Sequence, residues 1–221
     1  MTRGFRELLD EPLWQELLTL GVEHRYRPKS VLVRQGDPGG HLLALTRGRV
    51  SVLGNEEDGS GAMVALRGPG DLIGEMATRS GSTRTATVVA LDECRASKLP
   101  AEAVHRLLDA RDARGAMNDY LVAKLSETVP YQVRMVHFNA GQRCARLLLE
   151  VVALAGPEHR DPMRVPFSQE ALAAALGLSR STVTNQIAAW RKDGTLAAGP
   201  RLVVASLPLL ARHAGVTSVT S

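Results

Sequence analysis

The rhythm of apolar and polar positions along this chain changes twice. From Phe5 to Leu20 the residues Leu8, Leu9, Leu13, Leu17, Leu18 and Leu20 recur at helical spacing, which predicts a short amphipathic helical region. From Tyr26 to about Leu99 that period is lost. Short β-branched runs such as SVLV, HLLALTRGRVSVLG, AMVAL and TATVVA alternate with turn clusters such as QGDPGG, NEEDGSG and RGPGD. Turn signals at such regular spacing indicate an all-β sandwich or barrel. After Pro100 the helical period returns. Glu102–Leu108 reads as one short helix, and a longer one begins at Ala113. Its apolar positions Met117, Leu121, Val122, Leu125, Val129, Val133 and Val136 step by three or four and form a seam fit to pack on a partner helix. Pro130 falls inside that seam. It removes a backbone donor, so a kink or an interruption is expected there. A further helix, Ala140–Leu154, precedes the loop GPEHRDP.

The most informative stretch is residues 168–191, SQEALAAALGLSRSTVTNQIAAWR. Leu172, Ala173, Ala175 and Leu176 follow helical spacing up to Gly177, which can supply the left-handed conformation a helix end needs. Leu178 plugs the angle to a second helix, for which Ser179 is placed as the cap. Val183, Ile187 and Trp190 form that helix's buried stripe. The opposite face carries Arg180, Ser181, Thr184 and Asn185, hydrogen-bonding side chains on the leading turns, which is what base edges in a major groove require. The alternative is an ordinary helical hairpin with a polar face. Thr195-Leu196 and Arg201–Ala205, flanking the turn AAGP, read as a small hairpin wing.

Charge supports the DNA reading. Residues 1–100 hold 13 basic and 13 acidic side chains, whereas residues 101–221 hold 14 against 10, so the formal net charge of +4 sits in the second half. From Val165 onward there are 5 basic and 2 acidic residues. The excess falls on the segment suspected of meeting phosphates. A solvated basic face would carry the same excess. The two cysteines, Cys94 and Cys144, form no CxxC and meet no histidine cluster, so metal and disulfide roles are not expected and buried thiols in a reducing cytoplasm are. Residues 1–12 carry three acids and no apolar core, unlike a signal peptide, and no run approaches the roughly 20 apolar residues of a membrane span.

Inside the β segment, Gly70-Asp71-Leu72-Ile73-Gly74-Glu75-Met76-Ala77 is followed by Arg84-Thr85-Ala86-Thr87. This is a plausible anion cradle. Backbone N–H groups near Gly74–Ala77 can face a phosphate, Arg84 can grip it with a charged fork, and Thr85 adds a hydroxyl. Glu75 would accept hydrogen bonds from a ribose or other hydroxyl. Alternatively, Glu75 and Arg84 form a salt bridge that closes the loop.

A β-roll with RQGDPGG and LTRGRVSVL, then GDLIGEMA…RTATV, a long helix and a winged helix-turn-helix resembles the CRP/FNR family of bacterial transcription regulators from about Leu17 to about Leu207. The resemblance implies an α+β chain: an N-terminal double-stranded β-helix (jelly-roll-like) sensor domain with flanking helices over 1–112, a dimerisation helix over 113–139, and a winged helix-turn-helix over 140–221. It implies ribose binding by Glu75, phosphate binding by Arg84 and Thr85, and close backbone approach at Gly74 and Met76. Val64 and Arg67 fall beside the base, Thr128 where a threonine contacts adenine, and Lys124 where a basic residue can approach the phosphate. Arg180 matches a base-reading arginine; Ser168, Gln169 and Ser179 suit phosphates.

Departures alter these expectations. Val129 stands where a hydroxyl is expected after Thr128, and Pro130 follows at once, which weakens adenine recognition across a dimer. Ser181 and Asn185 replace a glutamate and a second arginine, so a different operator is expected. The N-terminal cysteine group of iron–sulfur members is absent, and no histidine pattern suggests haem. The expected function is therefore a cytoplasmic homodimeric regulator, not an enzyme. It would bind a palindromic operator on double-stranded DNA under control of a cyclic nucleotide effector, cAMP foremost, and need no other cofactor. RNA polymerase is a further partner for an activator, and no membrane is involved. The alternative keeps the DNA role but makes the β-roll ligand-independent or responsive to a cyclic dinucleotide. A catalytic metal barrel would need clustered ligands, and the β segment offers only His24 and His41.

Overall fold

A computed structural model of the protein describes residues 4–55, 61–78, 82–156 and 158–216, without the side chains of Asn55, Gly61 and residues 128–136. Two compact units divide it, residues 1–130 and 131–221. Among the described residues no helix is long and apolar enough to cross a membrane.

The first unit opens with a 3₁₀ turn, Phe5–Leu8, and helix α1, Glu11–Thr19, whose N-terminus is capped by Asp10 accepting from the Leu13 N–H at 2.8 Å. The β strands follow: β1 Val22–Tyr26, β2 Val31–Val33, β3 His41–Arg47, β4 Val50–Asn55, β5 Gly61–Arg67, β6 Leu72–Ile73, β7 Thr87–Ala90 and β8 Cys94–Pro100. They pair antiparallel in two four-stranded sheets, ordered β1-β8-β3-β6 and β2-β7-β4-β5. This is the double-sheet arrangement of a jelly roll.

Strand β3 shows why the apolar run LLAL does not alternate. Leu43 and Leu45 face the core between the sheets with Val33, Val50, Ile73 and Val88. Leu42 and Ala44 face the other way, into a second core with Phe5, Trp14, Leu17, Leu72, Leu108 and Tyr120. Both faces of the strand are covered along this run, so all of Leu42–Leu45 are apolar. Helix α2, Ala101–Ala110, supplies Val104, Leu107 and Leu108 to that second core, and helix α3, Arg114–His137, supplies Met117 and Tyr120.

Helix α3 runs on through Pro130, so of the kink or interruption expected there the interruption does not occur. A proline deprives a helix of one N–H, and the turns on either side keep their own bonds. The division between units falls within this helix.

The second unit consists of helix α4 Ala140–Ala153, strand β9 Arg164–Val165, helix α5 Gln169–Leu176, helix α6 Arg180–Lys192, strand β10 Leu202–Val203 and helix α7 Leu207–His213. A capping box at Asn139 and Gln142 starts α4. The wing differs from a simple hairpin. Leu196 makes one bridge to Val204, while β10 pairs with β9, a strand the periodicity did not predict. Two residues are too short a run to show a period.

Candidate functional site

Strand β6 ends at Gly74, whose φ of +85° lets the chain turn into a short 3₁₀ segment, Glu75–Ala77. A Cβ at Gly74 would sit 2.1 Å from Arg84 Nη1, so glycine also makes room for the guanidinium. Arg84 is buried, donating from Nη1 to the Gly74 carbonyl at 3.0 Å and from Nη2 to the His41 carbonyl at 2.7 Å. The loop is thus closed through main-chain oxygens. Among the described residues no ion pair joins Arg84 to Glu75. Glu75 nonetheless lies close enough to favour the Arg84 charge, against burial, which lowers the Arg84 pKa.

These groups open into a cavity of about 230 Å³. Val64, Gly74, Glu75, Met76, Ala77, Arg84, Thr85 and Lys124 all line it, so it gathers the expected ligand residues, with Arg67 beside them. The exception is Thr128, which lies outside the described side chains. Apolar walls come from Val33, Val52, Ile73 and Val88 between the sheets, and from Leu125 of α3. Val33 escaped the sequence reading because nothing local marks it, and Leu125, read there as part of the helix seam, also reaches the cavity.

The α3 side of the cavity holds a buried polar cluster. Lys124 Nζ lies 2.9 Å from Asp71 Oδ1, with both side chains 5% exposed, and 3.2 Å from Glu127 Oε1. Arg67 Nη1 lies 2.8 Å from Glu127 Oε2. The Tyr120 hydroxyl is 3.1 Å from Asp71 Oδ1, accepts from the Leu72 N–H at 3.0 Å, and lies 3.0 Å from the Leu72 carbonyl. Burial pushes the Tyr120 hydroxyl well above its ordinary pKa, and the Asp71 charge adds to this. Burial also pushes the Glu75 carboxyl up, opposed by its own backbone hydrogen bond and by Arg67. His41 is driven down to about 4 by burial, then by Arg84 and Lys98, and so is neutral near pH 7.

Gly74→Ala is expected to lower the melting temperature and to weaken ligand binding together. The left-handed backbone alone costs a β-carbon residue about 1–2 kcal/mol. The guanidinium must also move. Unchanged thermal melts and calorimetric affinity would refute the packing role.

In the second unit Ser168 caps α5, accepting from the Ala171 N–H at 3.0 Å, and Ser179 caps α6, accepting from the Thr182 N–H at 3.1 Å. Gly177 between them has φ +59°, the left-handed turn its position requires. Val183, Ile187 and Trp190 are buried. Arg180, Ser181, Thr184 and Asn185 are exposed on α6. Thr184 Oγ1 donates to Gln169 Oε1 at 2.8 Å, fixing that amide's orientation, and the Ser179 and Ser181 hydroxyls lie 2.9 Å apart. Arg191 Nη2 donates to the Gly199 carbonyl at 2.6 Å, tying the end of α6 to the wing turn.

Residues 23–111 match the cyclic nucleotide-binding domain family, and residues 142–218 match the Crp-like helix-turn-helix domain. A CRP-like cAMP-activated global transcriptional regulator of Mycobacterium tuberculosis is 24% identical over 184 residues, covering 81% of this chain and 82% of that protein. The cAMP-activated global transcriptional regulator CRP of Salmonella typhimurium is 25% identical over 163 residues, covering 72% and 78%. Two solved structures share the fold. The c-di-GMP responsive global regulator CLP of Xanthomonas campestris aligns with a TM-score of 0.70 at 24% identity, over 89% of this chain and 100% of that one. TTHB099, a CRP-family transcriptional regulator of Thermus thermophilus, aligns with a TM-score of 0.71 at 24% identity, over 87% and 96%.

Proposed function

The chain belongs to the CRP/FNR family of transcription regulators, with a cyclic nucleotide-binding domain and a helix-turn-helix domain, and on that premise we propose that a cyclic nucleotide, cAMP foremost, sets its affinity for an operator. The observation that carries this reading is the convergence of Gly74–Ala77, Arg84, Thr85, Val64 and Lys124 on one cavity. In it Arg84 and Thr85 would hold the phosphate, Glu75 the ribose hydroxyl, and Val64 the base. Thr128 is the proposed contact of α3 with that base. A ligand held by both sheet and helix favours the conformations in which those contacts coexist. Only a higher affinity for the DNA-competent state shifts the balance.

Pairing through α3 fits the exposure of Val122 (64%) and Leu125 (51%), apolar side chains that a second helix would cover. A homodimer in turn fits a palindromic site. Arg180 is the proposed base reader, its fork suited to guanine O6 and N7, and Asn185 suits an adenine edge. Ser181 and Thr184 flank them, while Ser168, Gln169 and Ser179 face phosphates. The site of action is the cytoplasm, and RNA polymerase is the partner if the regulator activates.

Arg180→Ala is expected to cost about 1–3 kcal/mol at one base pair and to relax specificity there. Competition gel shifts across single-base operator variants measure this. A uniform loss on every sequence would make Arg180 a phosphate contact instead.

A second reading, control by a cyclic dinucleotide, has in its favour the shared fold of the c-di-GMP responsive Xanthomonas regulator. Titration calorimetry with cAMP, cGMP and c-di-GMP separates the two. No heat from either mononucleotide would sink the first.

A further inference from the structure

The cavity brings three cations to its lining, Arg67, Arg84 and Lys124, yet they are partnered in different ways. Lys124 is held by two carboxylates, at 2.9 Å from Asp71 and 3.2 Å from Glu127. Arg67 shares Glu127 at 2.8 Å and gives a further bond to the Leu66 carbonyl at 2.8 Å. Two cations therefore face two carboxylates, and the α3 side of the cavity is neutral. Among the described residues of the lining, Arg84 is the cation with no carboxylate in hydrogen-bond contact: it is held by the main-chain oxygens of Gly74 and His41, with the Glu75 and Asp37 charges acting on it from farther off. Glu75, the remaining charged side chain among the described residues of the lining, acts through space on Arg67, Lys124 and Arg84 and is bound to none of them.

We propose that Asp71 and Glu127 are specificity-determining positioning residues: by neutralising Lys124 and Arg67 they leave Arg84 as the cation of the described lining with no carboxylate bound to it, and so select one phosphodiester over two. The proposal rests on the reading of this cavity as a nucleotide site. Its physical basis is the cost of burying charge. A second phosphate brought to the α3 side would meet cations already committed to carboxylates, and would itself be a buried anion without a counter-charge. Separation from water makes that mismatch larger than it would be on an open surface. Asp71 is well placed to hold Lys124, since the Gly68 N–H donates to its second oxygen at 2.9 Å and Tyr120 lies against its first.

Asp71→Asn and Glu127→Gln each remove a negative charge and keep an oxygen in place. Calorimetric titration of the full chain with cAMP and with c-di-GMP gives the ratio of the two affinities. The wild type is expected to favour cAMP. Each variant is expected to shift the ratio toward c-di-GMP on the order of tenfold, because the ligand with two charges gains more from the added positive potential. General loosening of the site weakens both ligands and leaves the ratio unmoved. Should Asp71→Asn fail a thermal-melt check, Glu127→Gln carries the test, the Glu127 carboxylate being 25% exposed. A wild type that favours c-di-GMP, or a ratio unchanged in the folded variants, overturns the proposal while the nucleotide site stands. Binding of neither nucleotide by the wild type overturns the nucleotide site and this proposal with it.

Discussion

Arg84→Ala should reduce the affinity for cAMP by roughly thirtyfold to several thousandfold, corresponding to about 2–5 kcal/mol for truncating one member of a buried charge pair. Calorimetry on the purified chain reads this directly. The magnitude follows from the geometry: the guanidinium is buried, oriented by the Gly74 and His41 carbonyls, and among the described residues of the lining it is the cation with no carboxylate bound to it. The same substitution takes the guanidinium away from both carbonyls; the Gly74 oxygen keeps the Ala77 N–H at 3.2 Å, while an acceptor left dry costs about 1–3 kcal/mol, so the melting temperature should fall as well. Arg84→Lys separates the two effects. A lysine keeps the charge but cannot donate as a planar fork, so partial recovery of affinity is expected without full recovery of stability. A loss of less than about threefold in Arg84→Ala would show that the phosphate binds elsewhere.

Trp190→Ala is expected to be the most damaging substitution in the DNA-binding unit. Trp190 is 1% exposed and completes the stripe with Val183 and Ile187 that seats α6, with its ring 5.3 Å from that of His213 on α7. Removing a buried tryptophan side chain costs about 3–5 kcal/mol. For a unit of this size each kcal/mol moves the melting temperature by about 4–8 °C, so a drop of at least about 12 °C is expected in a thermal scan. Operator binding should vanish with it, because the same stripe sets the roll of α6 and hence which side chains point outward. Trp190→Phe should be far milder, since the indole Nε1 has no hydrogen-bond partner among the described residues. A drop below about 5 °C in Trp190→Ala would mean that α6 is seated by other contacts.

Legibility differed between the two units for reasons that particular residues show. The helix-turn-helix is written locally. Gly177 takes its left-handed turn, Ser179 caps the helix after it, and Val183, Ile187 and Trp190 are buried, each as its spacing predicted. The wing was harder. Its third strand, Arg164–Val165, pairs with Leu202–Val203 across the whole helix-turn-helix, and nothing in two residues announces such a partner. The Gly74–Ala77 turn and Arg84 were legible as a cassette, but the hydrogen bonds of Arg84 were not. Its acceptors are main-chain oxygens, which every residue has.

By itself the sequence determined the succession of β domain, long helix and helix-turn-helix, the jelly-roll-like fold of the first, the exposed polar face of α6 and the family to which they belong. These follow from local spacing: period, caps, turn residues and motifs that lie within a few residues of one another. Only the tertiary structure decided how the cavity's charge is distributed. Asp71 meets Tyr120 across 49 positions and Arg67 meets Glu127 across 60, when α3 lies against the β-roll. Lys124, which the sequence places where a basic residue can approach a phosphate, lines the cavity and is held there by two carboxylates. Charges act through space, and their balance in a cavity is set by which distant segments packing brings together.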